Sequence, residues 1–260
     1  MTLDVPPDLW KKLTSTVGLV SVRHEGTTNV MSAEWSYFVN KTPLYAAVVL
    51  GPRAATRGLI ASAGQFSLTF CSQEQAELAD FAGSFSLADI DKTSSALIRF
   101  GEPEATRTPW VTGGLLAVEC VLRQTVEFPV HIMYVGEVIA AHLSHRVPRP
   151  LVKHGAMHAL GDPVERTAVV AAAQLLPGRV LRVAATGPGS DAGALWRVSL
   201  LAADSEVTEL GEHPSTPSGD LLLDLPLPAH LPADRLRACR VKVERNGAKA
   251  GYAGLDGAPR

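Results

Sequence analysis

In this 260-residue chain the apolar residues come in short runs, and almost every run is ended within a few positions by a turn signal. That pattern limits the fold more than any other feature, because short punctuated runs make strands rather than long helices. Residues 17–23 (VGLVSVR) read as a strand, with Glu25-Gly26 starting a turn. Residues 44–50 (LYAAVVL) read as a buried strand stopped by Gly51-Pro52. A helix is predicted over 54–63, ended by Gly64, and QFSLTFC (65–71) follows as a strand. Ser72, with Gln75 three positions on, has the form of a capping box at the head of a helix through QEQAELADFA. Further strands are predicted at 115–126 and 131–142. Many strands interrupted by single helices indicate a closed or nearly closed barrel, not a doubly wound sheet. Neither GxGxxG after a strand nor GxxxxGK(S/T) occurs, so the common nucleotide-binding loops are excluded.

The pattern changes near Asp162-Pro163. An Ala-rich stretch, VERTAVVAAAQLL, is predicted to form an amphipathic helix stopped by Pro177-Gly178. The runs GRVLRVAAT, ALWRVSLLAA, GDLLLDLPLP and LRACRVKVE then read as strands, and Asn246-Gly247 as a hairpin turn. The tail after Tyr252 is small, Gly-rich and expected to fray. The expected division is a barrel domain over 1–163 and a smaller β-rich accessory module over 164–260. Two roles are open for that module: narrowing the substrate range of the barrel, or enlarging an assembly interface.

Composition excludes several function classes. A net charge of -2 with no block of like charges argues against a nucleic-acid binder. Cys71, Cys120 and Cys239 are too sparse for a disulfide framework or a zinc site and read as small buried hydrophobes. No run approaches the ~18 apolar residues that span a bilayer, and MTLDVPPDLW lacks the form of a signal peptide. The expectation is a cytoplasmic protein with no membrane partner.

The segment with the most chemical content is NVMSAEW, residues 29–35. It sets short polar residues beside Met and Trp. An isoalloxazine ring needs such a mixture, because its faces are apolar and its edge presents hydrogen-bonding atoms. Residue types alone leave open an ordinary strand with one buried Trp. His154 and His158 stand four apart, but no carboxylate or Cys cluster accompanies them, so a metal site is not expected.

Four landmarks in order resemble the flavin reductase-like family, the FMN-binding split-barrel group that includes flavoredoxins. They are NVMSAEW, then LYAAVVLGPRAATRGLIASAGQFSLTF, then QAELADFAGSFSLADIDK, then HIMYVGEV with RPLVKHGAMHALG. The resemblance covers residues 17–161 and leaves the rest of the chain unmatched. It implies a mainly β protein with a few helices, an FMN-binding split β-barrel that forms a homodimer with FMN near the dimer interface. Asn29, Met31, Ser32 and Ala33 match the segment that touches the flavin ring. Arg53, Thr56 and Arg57 match groups near the phosphate, which favours Arg forks, hydroxyls and helix-start amides. Lys92 matches a lysine near the flavin; a surface salt bridge with Asp89 or Asp91 is the other reading. His131 opens a strand at the barrel rim and is a candidate proton donor. His158 and Trp35 are candidate substrate contacts. Glu34 departs from the family's usual small residue; it is either a catalytic base or a charge that disfavours the reduced anionic flavin. The run Ser84–Leu87 lacks a positive charge that relatives often carry.

The implied activity is NAD(P)H:flavin oxidoreductase chemistry, with NADH or NADPH as hydride donor and FMN as carrier. Reduced flavin then serves a partner monooxygenase or a bound small-molecule substrate. Two readings from other classes stay open: a split barrel that binds flavin, haem or another planar ligand without turnover, and a specialised biosynthetic enzyme reusing the fold.

Overall fold

A computed structural model of the chain describes residues 5–146, 148–188, 192–203, 206–228, 231 and 233–255. They form two compact units that divide between Gly161 and Asp162. The first unit contains β1 (Ser15–Thr16), β2 (Gly18–His24), β3 (Thr27–Ala33), β4 (Ser36–Lys41), β5 (Leu44–Leu50), α1 (Thr56–Ala63), β6 (Gln65–Phe70), α2 (Ala76–Ser84), β7 (Phe100–Gly101), β8 (Trp110–Val111), β9 (Leu116–Glu127), β10 (Ile132–Leu143), β11 (Leu151–His154) and β12 (Ala156–Ala159).

Seven of these strands form one antiparallel sheet in the order β3-β2-β6-β9-β10-β5-β4. Its two edges, β3 and β4, are joined by only Glu34 and Trp35. A link that short brings opposite edges of the sheet together, so the sheet must curl on itself, and Ser36 Oγ donates to Ala33 O across the seam at 3.0 Å. The result is the mainly β split barrel expected from the sequence. Its interior is filled by Val20, Val48, Leu50, Phe66, Leu68 and Cys120, all at most 1% exposed. The helix α1 ends at Gly64, whose φ of 64° is the left-handed conformation a helix C-terminus favours. Ser72 N–H donates to Gln75 Oε1 at 3.3 Å, so the capping box forms; its first turn is a short 3₁₀ segment, Gln73–Gln75, leading into α2.

The second unit contains β13 (Val170–Leu176), β14 (Val180–Thr186), β15 (Leu195–Leu201), β16 (Val207–Pro214), β17 (Leu221–Pro226), α3 (Ala233–Ala238), β18 (Arg240–Glu244) and β19 (Gly251–Gly254). A sheet β13-β14-β17 and a sheet β16-β15-β18-β19 share one core around Leu181, Val183, Trp196, Val198, Val241 and Val243. Two expectations are corrected here. The Ala-rich stretch is a strand, not a helix: β13 pairs with β14 along all of 170–176. Its exposure alternates, with Val170, Ala172 and Gln174 outward and Ala171, Ala173 and Leu175 half-buried. The run LRACRVKVE is not one strand but the end of α3 followed by β18. The tail also stays ordered further than expected, since Ala253 lies in β19 and Leu255 is buried. The rest of the tail, 256–260, lies outside the described residues.

Candidate functional site

The β3 strand carries the landmark segment into the barrel wall. Asn29 is 2% exposed, and its Nδ2 donates to Thr56 Oγ1 at 2.8 Å. Thr56 is the first residue of α1 and is itself fully buried, so its hydroxyl ties helix to strand rather than capping the helix. Asn29 Oδ1 is buried and has no hydrogen-bond partner. An unpaired buried amide oxygen is costly, and such a group calls for an explanation at the site where it occurs.

Beside it opens a cleft of about 570 Å³. It is lined by Asn29 and Met31 of β3, by the turn from Gly51 to Thr56, by the end of α2 and the loop through Asp89, and by Lys92 and His131. Gly51-Pro52 stops β5, and Ala54 N–H closes the turn on Gly51 O at 3.2 Å. That turn delivers Arg53, exposed, to the head of α1. His131 ends the β9–β10 turn, where Phe128 N–H donates to its carbonyl at 2.9 Å.

Lys92 does not make a surface salt bridge. It is 2% exposed, and its Nζ donates to Ala82 O at 3.2 Å and Phe85 O at 2.6 Å. These carbonyls close the C-terminal end of α2, where a cation is favoured. Burial pulls its pKa down, and the charge of Asp89 opposes that shift. Asp89 accepts from Ser86 N–H at 2.7 Å, and this bond, with the Ser86 hydroxyl, holds its carboxyl below the usual range.

A second cleft, about 340 Å³, shares Met31, Gly51 and His131 with the first. Trp10, Ser32, Ala33, Glu34, Trp35, Val49 and Leu50 complete it. The Trp35 ring tilts against His131 at 5.1 Å, and Trp10 meets Trp35 edge-on at 5.9 Å. Glu34 is pinned by the Ser15 hydroxyl at 3.2 Å and by Lys153 Nζ at 3.5 Å.

Of the residues singled out from sequence, Asn29, Met31, Arg53, Thr56, Lys92 and His131 meet in the larger cleft, and Met31, Ser32, Ala33, Glu34, Trp35 and His131 in the smaller. Arg57 lines neither; it is half-buried, and its carbonyl accepts from Tyr134 Oη at 3.1 Å. His158 is exposed on β12 and lines neither. His154 and His158 lie on the paired strands β11 and β12, not on one helix face. Sequence reasoning passed over Trp10, which comes from a segment without a motif, and gave no role to Gly83 and Phe85 of the third landmark or to Lys153 of the fourth, although Gly83 and Phe85 line the larger cleft and Lys153 pairs with Glu34.

Among the described residues no helix is long and apolar enough to cross a membrane. An uncharacterized protein of Pyrococcus abyssi is 25% identical over 122 residues, covering 47% of this chain and 70% of that one. The solved structure of an FMN-binding protein from Thermus thermophilus with bound p-hydroxybenzaldehyde superposes with a TM-score of 0.57 at 23% identity, over 63% of this chain and 96% of that one. An NADH:FAD oxidoreductase of Streptomyces globisporus gives 0.55 at 17% identity, over 62% and 99%. At these identities the two structures show a shared fold. Residues 10–161 match the flavin reductase like domain, well over half the chain, and the chain therefore belongs to the flavin reductase-like family.

Proposed function

We propose that this chain binds FMN in the larger cleft and acts as a flavin reductase-type oxidoreductase with NADH or NADPH as hydride donor. The observation that carries the reading is the convergence of Asn29, Met31, Arg53, Thr56, Lys92 and His131, from distant parts of the sequence, on one cleft. The residues fit the group. Asn29 Oδ1 is a buried acceptor awaiting a donor, such as a ribityl hydroxyl or a ring N–H. Arg53 stands at the positive head of α1, where a phosphate is favoured. Asp89, the one carboxylate on the lining, is already engaged by Ser86.

When bound, the flavin supplies the hydride and electron chemistry. The protein's part is placement. Asn29 and Thr56 fix the strand–helix junction on the cleft wall, and Met31 would offer an apolar surface to a bound ring. Lys92 holds the end of α2 in place. His131 lines both clefts and would present its imidazole to a substrate edge. The reading includes a cytoplasmic homodimer whose second copy completes the site, and a small-molecule acceptor or a partner monooxygenase as the destination of the electrons.

Titration of FMN and riboflavin against the wild type and Arg53→Ala tests this. Only FMN carries the phosphate, and a charge-assisted contact is worth about 1.5–3 kcal/mol. FMN binding should weaken roughly tenfold or more, since about 1.4 kcal/mol is tenfold, while riboflavin changes little. Equal loss of both flavins removes the phosphate assignment. Absence of any flavin binding, or a haem-like absorption band, removes the function.

A further inference from the structure

We infer that the smaller cleft is a binding compartment for planar aromatic molecules whose edge carries N–H or O–H donors or a positive charge, and that it rejects aromatic carboxylates. That its occupant is the acceptor substrate rests on the flavin reading above; the recognition itself does not.

The compartment lies at the barrel seam, around the Glu34-Trp35 link between β3 and β4. Three flat rings, Trp10, Trp35 and His131, stand in sequence along it, and Met31, Val49 and Leu50 supply further apolar wall. Aromatic walls attract planar rings, and their faces favour a cation or a donor edge over an anion. Its volume of about 340 Å³ lies at the small end of the usual ligand-pocket range of ~300–1,000 Å³, so it suits a compact ring.

The polar groups on this lining are Ser32, His131, the indole N–H groups of Trp10 and Trp35, and Glu34, its one carboxylate. The carboxylate is held in place rather than used up. Ser15 Oγ takes Oε1 and Lys153 Nζ approaches Oε2 from outside the compartment. Lys153 is not on this lining; it lines a neighbouring cleft that shares Ser32 and Glu34. A carboxylate has about four lone-pair sites, and these two partners leave room for more donors. The Tyr37 phenol nearby is pushed up, by burial first and by the Glu34 charge second. An aromatic carboxylate would bring like charge and acceptors against acceptors.

The test uses the full chain and three nearly isosteric probes: benzamidinium, benzamide and benzoate, measured by calorimetry and Trp fluorescence. Benzamidinium should bind tightest, and benzoate at least about tenfold more weakly, a gap equal to roughly 1.4 kcal/mol. In Glu34→Gln that gap should shrink below about threefold, while Trp10→Ala should weaken benzamidinium and benzamide by similar factors, about fivefold or more. Lys153→Met should leave benzamidinium unchanged or tighter; a purely structural pair would weaken all three probes together. Three equal affinities in the wild type, an unchanged ranking in Glu34→Gln, or a uniform loss in Lys153→Met overturns the inference. FMN titration of the same sample separates the two readings. FMN binding without probe ranking removes the compartment alone, and ranking without FMN binding removes the function alone.

Discussion

A single glutamate inside an apolar run, Glu119 in LAVECVL, turns out to organise one side of the barrel. It is fully buried, and it accepts from the N–H groups of Glu104, Ala105 and Thr106, from the Thr106 hydroxyl and from His142 Nε2 at 2.8 Å. His142 in turn stacks on Trp110 at 4.4 Å. Burial alone would push this carboxyl up, but the bonds from Glu104, His142 and Thr106 outweigh it and hold the pKa near 2 against an ordinary 4.5. A depressed carboxyl stabilises the fold above its unfolded pKa and loses that contribution as pH falls toward the folded value. The shift corresponds to about 3 kcal/mol. Glu119→Gln should therefore lower stability by about that amount near neutral pH in urea unfolding, and the difference from wild type should narrow as pH drops below about 4. A gap that stays constant with pH would contradict this account.

At the scale of elements, β10 shows why a glycine stands in the fourth landmark. Gly136 sits at a register shift between β10 and β9. A Cβ there would lie 2.7 Å from Cys120 Cβ and 2.8 Å from the Phe66 ring, closer than packing allows. Gly136→Ala should cost about 1–3 kcal/mol through overpacking, read as a lower thermal midpoint. An unchanged midpoint would mean that the sheet shifts freely at this point. The misread β13 has an equally local cause. Alanines fill both its faces, so residue type does not distinguish Ala171 and Ala173, against the core, from exposed Ala172. Strand pairing with β14 decided what periodicity left ambiguous.

On the scale of the molecule, each unit carries its own hydrophobic core among the described residues. One cluster draws only on residues 169–255, and two lie within the first unit. A domain with its own core can in principle fold alone. Residues 1–161 expressed by themselves should unfold cooperatively, bind flavin, and scatter light as a dimer, as the full chain should at twice its 27.6 kDa mass. A non-cooperative melt would show that the barrel depends on the second unit. A monomeric mass for both would remove the homodimer.

What the sequence determined alone was local. Turn residues after short apolar runs specified the strands, Gly64 and the Ser72–Gln75 box marked helix ends, and NVMSAEW marked the strand that lines both clefts. These signals depend on backbone preference and spacing, which neighbours in the chain carry. Tertiary structure decided the rest. It buried Lys92 against the end of α2, turned Arg57 away from the cleft, and brought Trp10 and Lys153 to Glu34. The Trp10–Trp35 and Lys153–Glu34 contacts join residues far apart in sequence, and even the nearer bonds of Lys92 depend on how the chain turns after α2, which no local pattern states.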